Sequence, residues 1–213
     1  MIFLFDLDGT IVDSAQGIIN GLLYAFNKSG DEIPEKGDLK KFIGPPFMDT
    51  FTKEFGFSKD KSKYLIELFR EYYFEEGQLE SEPYEGMKEL LEIVSSKYKL
   101  AVATSKPEVQ AVEILKNHGL DEYFHFIGGA TLDNSRIKKH DVIEYVLDNL
   151  DVNSRENTFM IGDRYPDIVG ASMSGLRSIG VLWGYGTFEE LQFHKADYIE
   201  ESVDGLKDRI LSF

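Results

Sequence analysis

Ile2-Phe3-Leu4-Phe5 runs without a polar break into Asp6-Leu7-Asp8-Gly9-Thr10, and this junction constrains the fold more than any other stretch of the chain. An unbroken apolar tetrad suits a strand buried on both faces, because a strand with one wet face would alternate. At its end the chain must turn, and Gly9 supplies a permissive backbone for the turn. Asp6 and Asp8 then fall at the carboxyl end of the strand, the edge where open parallel sheets bind ligands. Two carboxylates this close repel each other, so the pair calls for a cation or a shared proton. One aspartate at a strand end is ordinarily a turn or capping residue. The whole string behind an apolar strand is far more specific.

Beyond Asp13 the period changes. Ile18, Leu22 and Phe26 form one row and Ile19 with Leu23 the next, which predicts a helix from Ser14 as N-cap to Gly30 as stop. Leu39, Phe42 and Ile43 form a second helical patch that breaks at Gly44-Pro45-Pro46, beside Lys40 and Lys41. Phe47, Phe51 and Phe55 recur at i, i+4 and i+8, and Leu65, Leu68 and Tyr72 lie on a longer helix from about 58 to 75. No strand pattern occurs between Ser14 and Ser81, so this stretch is expected to be an all-helical insertion, its aromatic rows forming its own small core. After Gly86 helix and strand alternate, as in a parallel sheet with crossover helices. Strands are expected at Leu100-Ala101-Val102-Ala103, Phe124-His125-Phe126-Ile127, Thr158-Phe159-Met160-Ile161 and Ser178-Ile179-Gly180-Val181-Leu182. The fold class is therefore α/β, a doubly wound parallel sheet with an inserted helical domain. The divisions expected are 1–13 with 82–213 for the sheet and 14–81 for the insertion.

The chain has 213 residues and a net charge of −15, which argues against nucleic acid or an anionic membrane as a partner. A phosphorylated substrate would meet the same repulsion, and would need a metal, a lysine or backbone N–H groups to receive it. There is no cysteine, which removes disulfides, thiolate zinc sites and cysteine nucleophiles together. The opening apolar run is too short and lacks the basic flank of a signal peptide, and no stretch approaches the roughly 20 apolar residues of a membrane span. A cytoplasmic protein, monomeric or weakly dimeric, is the expectation.

The remaining polar residues arrive at strand ends. Thr104 and Ser105 precede Pro107, where they either cap a helix or offer a hydroxyl and free N–H groups to an anion. Lys138 and Lys139 stand before a helix, where the macrodipole disfavours a cation unless it reaches solvent or an anionic site. Asp163 follows a strand and Asp167 lies in the first turn of the next helix. With Asp6 and Asp8 they would bring four carboxylates to one edge, a donor set of oxygens that suits Mg²⁺.

Phe5-Asp6-Leu7-Asp8-Gly9-Thr10-Ile11-Val12-Asp13-Ser14 resembles the opening motif of the haloacid dehalogenase superfamily of phosphatases. The order Asp-x-Asp, Thr/Ser, Lys, Gly-Asp-x-x-x-Asp is similar to the four motifs of that superfamily across the whole chain. The resemblance implies a Rossmann-like core in which Asp6 is a nucleophile forming an aspartyl-phosphate and Asp8 is the general acid/base. It implies that Thr104, Ser105 and Lys139 hold the phosphoryl group, with Lys138 the competing lysine and local alignment favouring Lys139. It places Mg²⁺ among Asp6, Asp8 (through its backbone carbonyl), Asp163 and Asp167, the last supporting the lysine or the metal's waters. The insertion resembles the helical cap of phosphoglycolate phosphatases, as do Ile43-Gly44-Pro45-Pro46, Thr104-Ser105-Lys106-Pro107 and Ile161-Gly162-Asp163-Arg164. Gly44 and Pro45 are then either a substrate-facing loop or an ordinary inter-helix turn. The implied activity is hydrolysis of a small phosphorylated metabolite such as phosphoglycolate, a nucleotide or a sugar phosphate. The alternatives are a phosphomutase of β-phosphoglucomutase type and a phospho-receiver without turnover. A dehalogenase is disfavoured, because that branch lacks the acid at the position of Asp8.

Overall fold

The computed structural model describes every residue except 36–38, 40–41, 44–46, 134 and 153–154. The chain divides into two compact units, Met1–Asp13 with Glu82–Phe213 and Ser14–Ser81. It opens with β1 (Ile2–Phe5) and the short β2 (Val12–Asp13). Gly9 makes the turn between them at φ +79°, and its N–H donates to Val12 O at 2.8 Å.

The insertion follows. Helix α1 (Ala15–Ser29) starts after Ser14, whose hydroxyl makes no capping bond, and stops at Gly30 in the left-handed region. Phe47–Asp49 form a single turn that widens into a π-helical turn over Thr50–Glu54. Helix α2 (Lys59–Glu75) is capped by the Ser58 side chain, which accepts from Lys61 N. Phe26, Phe42 and Phe51 are fully buried, and Phe42 lies 4.6 Å from Phe51 and 5.1 Å from Phe55 between ring centroids. The aromatic rows thus form the core of this unit.

The chain returns through β3 (Glu82–Pro83), antiparallel to β2, and α3 (Met87–Ser95). Next come β4 (Lys99–Pro107), α4 (Glu108–Asn117), β5 (Phe126–Ala130) and α5 (Lys139–Asn149). The remainder is β6 (Thr158–Gly162), α6 (Tyr165–Met173), β7 (Arg177–Val181), α7 (Phe188–Phe193), β8 (Tyr198–Glu200) and α8 (Val203–Leu211). The sheet order is β5-β4-β1-β6-β7-β8, with every pair parallel. From β1 the chain winds one way through β4 and β5, then the other way through β6, β7 and β8. The reversal places a crevice at the carboxyl ends of β1 and β6. Phe3, Leu4 and Phe5 are fully buried and serve both faces in alternation. Phe3 and Phe5 pack with Met87, Leu91, Ile114 and Ile210, whereas Leu4 packs with Val142, Ile143, Val146 and Ala171.

Two strand boundaries differ from the periodicity. The third strand of the sheet falls at Phe126–Ala130 and not at 124–127, because Phe126, Ile127 and Gly128 take the register opposite Ala101, Val102 and Ala103. The second runs on through Thr104-Ser105-Lys106 to Pro107, with a register shift between Ala103 and Pro107. Helix α4 therefore starts at Glu108, and neither Thr104 nor Ser105 caps it.

Candidate active site

The sheet carries its polar residues to one edge. The β1–β6 ladder extends one residue further, through Asp6 N donating to Ile161 O at 2.8 Å, which fixes the Asp6 backbone. Its carboxylate is held by one oxygen: Oδ1 accepts from Leu7 N at 2.8 Å and lies 2.9 Å from Lys139 Nζ. Lys139, in the first turn of α5, has a side chain only 4% exposed. Its ammonium also donates to Ala103 O at 3.0 Å and pairs with Asp167 Oδ1 at 2.8 Å. Three oxygens thus surround a group with three donors. Lys138, one residue earlier, is exposed. A side chain on Gly170 of α6 would collide with the Lys139 stem, its Cβ falling 2.9 Å from Cγ.

Asp167 and Asp163 come from the β6–α6 turn. Asp167 Oδ2 accepts from Arg164 N at 3.1 Å, the geometry of a helix-start carboxylate. Asp163 is 1% exposed, and its Oδ2 accepts from Tyr185 N at 2.7 Å. Gly9 must be glycine on two grounds: its φ is +79°, and a Cβ there would fall 2.4 Å from Asp163 Oδ2. One carboxylate oxygen each from Asp6, Asp163 and Asp167 lie within 4.8 Å of one another.

Three carboxylates share one ammonium here, and the protonation follows from that imbalance. Burial, and then the neighbouring Asp167 and Asp6, push Asp163 up to about 8. Burial also raises Asp167, against the pull of Lys139. Burial opposes the charge on Lys139, yet Asp167 and Asp6 outweigh it and hold the ammonium above its ordinary range. A cluster of oxygen donors with surplus negative charge, one of them pressed toward its protonated form, fits a hard divalent cation.

Asp8 is not among the three. Both its oxygens take the ammonium of Lys106, at 3.1 and 2.9 Å. Thr104 is buried, and its Oγ1 accepts from Lys106 N at 3.2 Å, while Ser105 is exposed. The sequence motif points to Thr104 and Ser105 and gives no role to Lys106. The signal was the continuation of β4: with Thr104 in a strand, Lys106 shares its face, but a Thr-Ser-Lys-Pro string reads as a helix entry. The Trp183-Gly184-Tyr185-Gly186 loop carries no sequence signal beyond its glycines, whereas its Tyr185 N–H holds Asp163. Gly44 and Pro45 lie outside the described residues, as do Lys40 and Lys41.

This edge, on this sheet order, defines a member of a hydrolase family. Residues 3–181 match haloacid dehalogenase-like hydrolases, and the chain belongs to that family. It is 38% identical to a 5'-nucleotidase of Pseudomonas aeruginosa over 193 residues, covering 90% of this chain and 87% of that protein. It is 36% identical to the tyrosine-protein kinase PtkA of Mycobacterium tuberculosis over 201 residues, 93% of this chain and 65% of that protein. The crystal structure of a predicted phosphatase from Clostridium acetobutylicum superposes with a TM-score of 0.90 at 38% identity, covering 100% of this chain and 98% of that one.

Proposed function

We propose that the chain is a Mg²⁺-dependent phosphatase that hydrolyses a small phosphorylated metabolite through an aspartyl-phosphate on Asp6. The observation that carries this reading is the asymmetric hold on Asp6. Oδ1 is tied to Leu7 N and Lys139, whereas no bond to Oδ2 is found among the described residues. Asp6, Asp163 and Asp167 would hold the ion, which when bound would offset the charge of the phosphoryl oxygens.

In the first step the Asp6 carboxylate oxygen bonds to phosphorus. The ester P–O bond breaks toward the leaving oxygen, which takes a proton from the Asp8 carboxyl group. In the second, water attacks phosphorus and gives a proton to Asp8, and the bond to Asp6 breaks to restore the carboxylate. Lys139 offsets part of the charge of Asp6 and Asp167, and the Thr104 hydroxyl, whose oxygen already accepts from Lys106 N, has its proton to offer a phosphoryl oxygen. The choice among phosphoglycolate, a nucleotide and a sugar phosphate is assigned to the inserted helices. The nucleotidase relative supports a nucleoside monophosphate as the first substrate to try.

The kinase relative makes transfer to an acceptor other than water the competing reading. Phosphate release from a panel of phosphomonoesters, with Mg²⁺ and with chelator, tests both. Metal-dependent release that disappears in Asp6→Asn supports the phosphatase. A phosphoryl group on an added peptide or sugar, with no inorganic phosphate, supports transfer.

A further inference from the structure

We propose that Lys106 is a positioning residue that holds the carboxyl group of Asp8 toward the leaving oxygen; this rests on the phosphatase reading above. Asp8 sits on a loop, its side chain 27% exposed, whereas the Lys106 side chain is 6% exposed. Among the described residues only Lys106 bonds to the Asp8 side chain: both carboxylate oxygens face its ammonium, at 3.1 and 2.9 Å. Two contacts from one cation fix the plane of a carboxyl group as well as its place. When Asp8 carries its proton on one oxygen, the other still accepts from Lys106, so the plane is kept through the step in which the proton is given up.

The backbone explains why Lys106 can do this. Strand β4 continues past Ala103 with a register shift, and Lys106 N donates to Thr104 Oγ1. That bond locks the strand extension, turning Thr104 and Lys106 inward and leaving Ser105 outside. Thr104 and Lys106 thus reach the edge from one strand, one beside the phosphoryl group and the other beside the acid. Lys139 meets Asp6 and Asp167, and Lys106 meets Asp8, so the two buried lysines hold three of the four acidic residues between them.

A residue that acts through a general acid matters in proportion to the leaving group's need for a proton. The test compares glycerol 2-phosphate, a poor leaving group, with p-nitrophenyl phosphate, whose leaving group departs unprotonated. In Lys106→Met, kcat for glycerol 2-phosphate is expected to fall by about 10²-fold, within the usual range for acid–base assistance. The pre-steady-state burst of p-nitrophenolate should keep its rate within about 3-fold, and the substrate concentration that half-saturates that burst should stay near the wild-type value. Lys106→Arg should recover part of the lost rate, and in an Asp8→Asn background Lys106→Met should add less than about 2-fold. An equal loss on both esters with a raised KM would overturn the proposal and make Lys106 a direct substrate ligand. An unchanged rate on glycerol 2-phosphate would also overturn it. If Lys106→Met fails to fold, Lys106→Gln carries the same comparison. Wild type that releases phosphate from no ester of the panel in Mg²⁺ would instead refute the phosphatase reading itself.

Discussion

The interior of the insertion and the carboxyl edge of the sheet are packed on opposite terms. The insertion buries rings against rings: Phe47 meets Phe69 at 4.5 Å and Phe42 meets Phe51 at 4.6 Å between centroids. Each contact there is satisfied when made, since apolar surface asks only to leave water. The sheet edge buries Asp163, Asp167 and Lys139 instead, beside the partly buried Asp6, and leaves negative charge in surplus. Burying charge without full compensation is costly, and proteins retain such arrangements where a ligand completes them. The difference separates stability from function: one interior is finished by folding, the other by what it binds.

Four substitutions and a titration sharpen the contrast. Asp6→Asn should lower turnover by about 10⁴-fold or more while leaving the fold intact, because it removes a nucleophile; initial rates with Mg²⁺ and a circular dichroism spectrum check both halves. Lys139→Met should cost about 3–5 kcal/mol in urea unfolding of metal-free protein, since it strands the buried Asp167. Saturating Mg²⁺ should return part of that loss, and no recovery would show that the cation does not meet these carboxylates. Phe51→Ala should cost a similar ~3–5 kcal/mol, with no recovery on adding Mg²⁺. If the ion rescued this variant as well, the two interiors would not be energetically distinct.

A smaller effect concerns pH. Asp163 is raised to about 8 in the folded chain, above its ordinary value near 4. Folding therefore takes up a proton between these limits, and stability from this group is complete at low pH and lost as pH rises through about 8. The unfolding temperature of chelated protein should fall as pH rises across this window in wild type, and the slope should flatten in Asp163→Asn. Smallest of all, Ser58→Ala should cost about 1 kcal/mol by removing the α2 cap, with no change in the pH slope.

The sheet was legible because its strands are buried on both faces and read as apolar runs, and because Asp6 and Asp163 each directly follow such a run, with Asp167 in the first turn of the helix after it. The choice between Lys138 and Lys139 was open in the sequence, since both stand before the same helix. Burial separates them: Lys139 points in to Asp6, Asp167 and Ala103 O, and Lys138 points out. Lys106 was hidden for a different reason. A strand that continues through Thr-Ser-Lys-Pro violates local propensity, and the pairing of Pro107 with Ala130 of β5 and the Lys106 N bond to Thr104 Oγ1 sustain it. The insertion's rows of phenylalanine announced a core and nothing more, because aromatic periodicity records what packs and carries no chemistry.

Trapping the phosphorylated residue tests the central claim most directly. Protein turning over a phosphomonoester in Mg²⁺ would be quenched with acid and reduced with borohydride, which converts an aspartyl-phosphate to homoserine, and its peptides read by mass spectrometry. The account predicts homoserine at position 6, absent in chelator. Reduction at another aspartate, or phosphate release with no modified residue at any quench time, would contradict it.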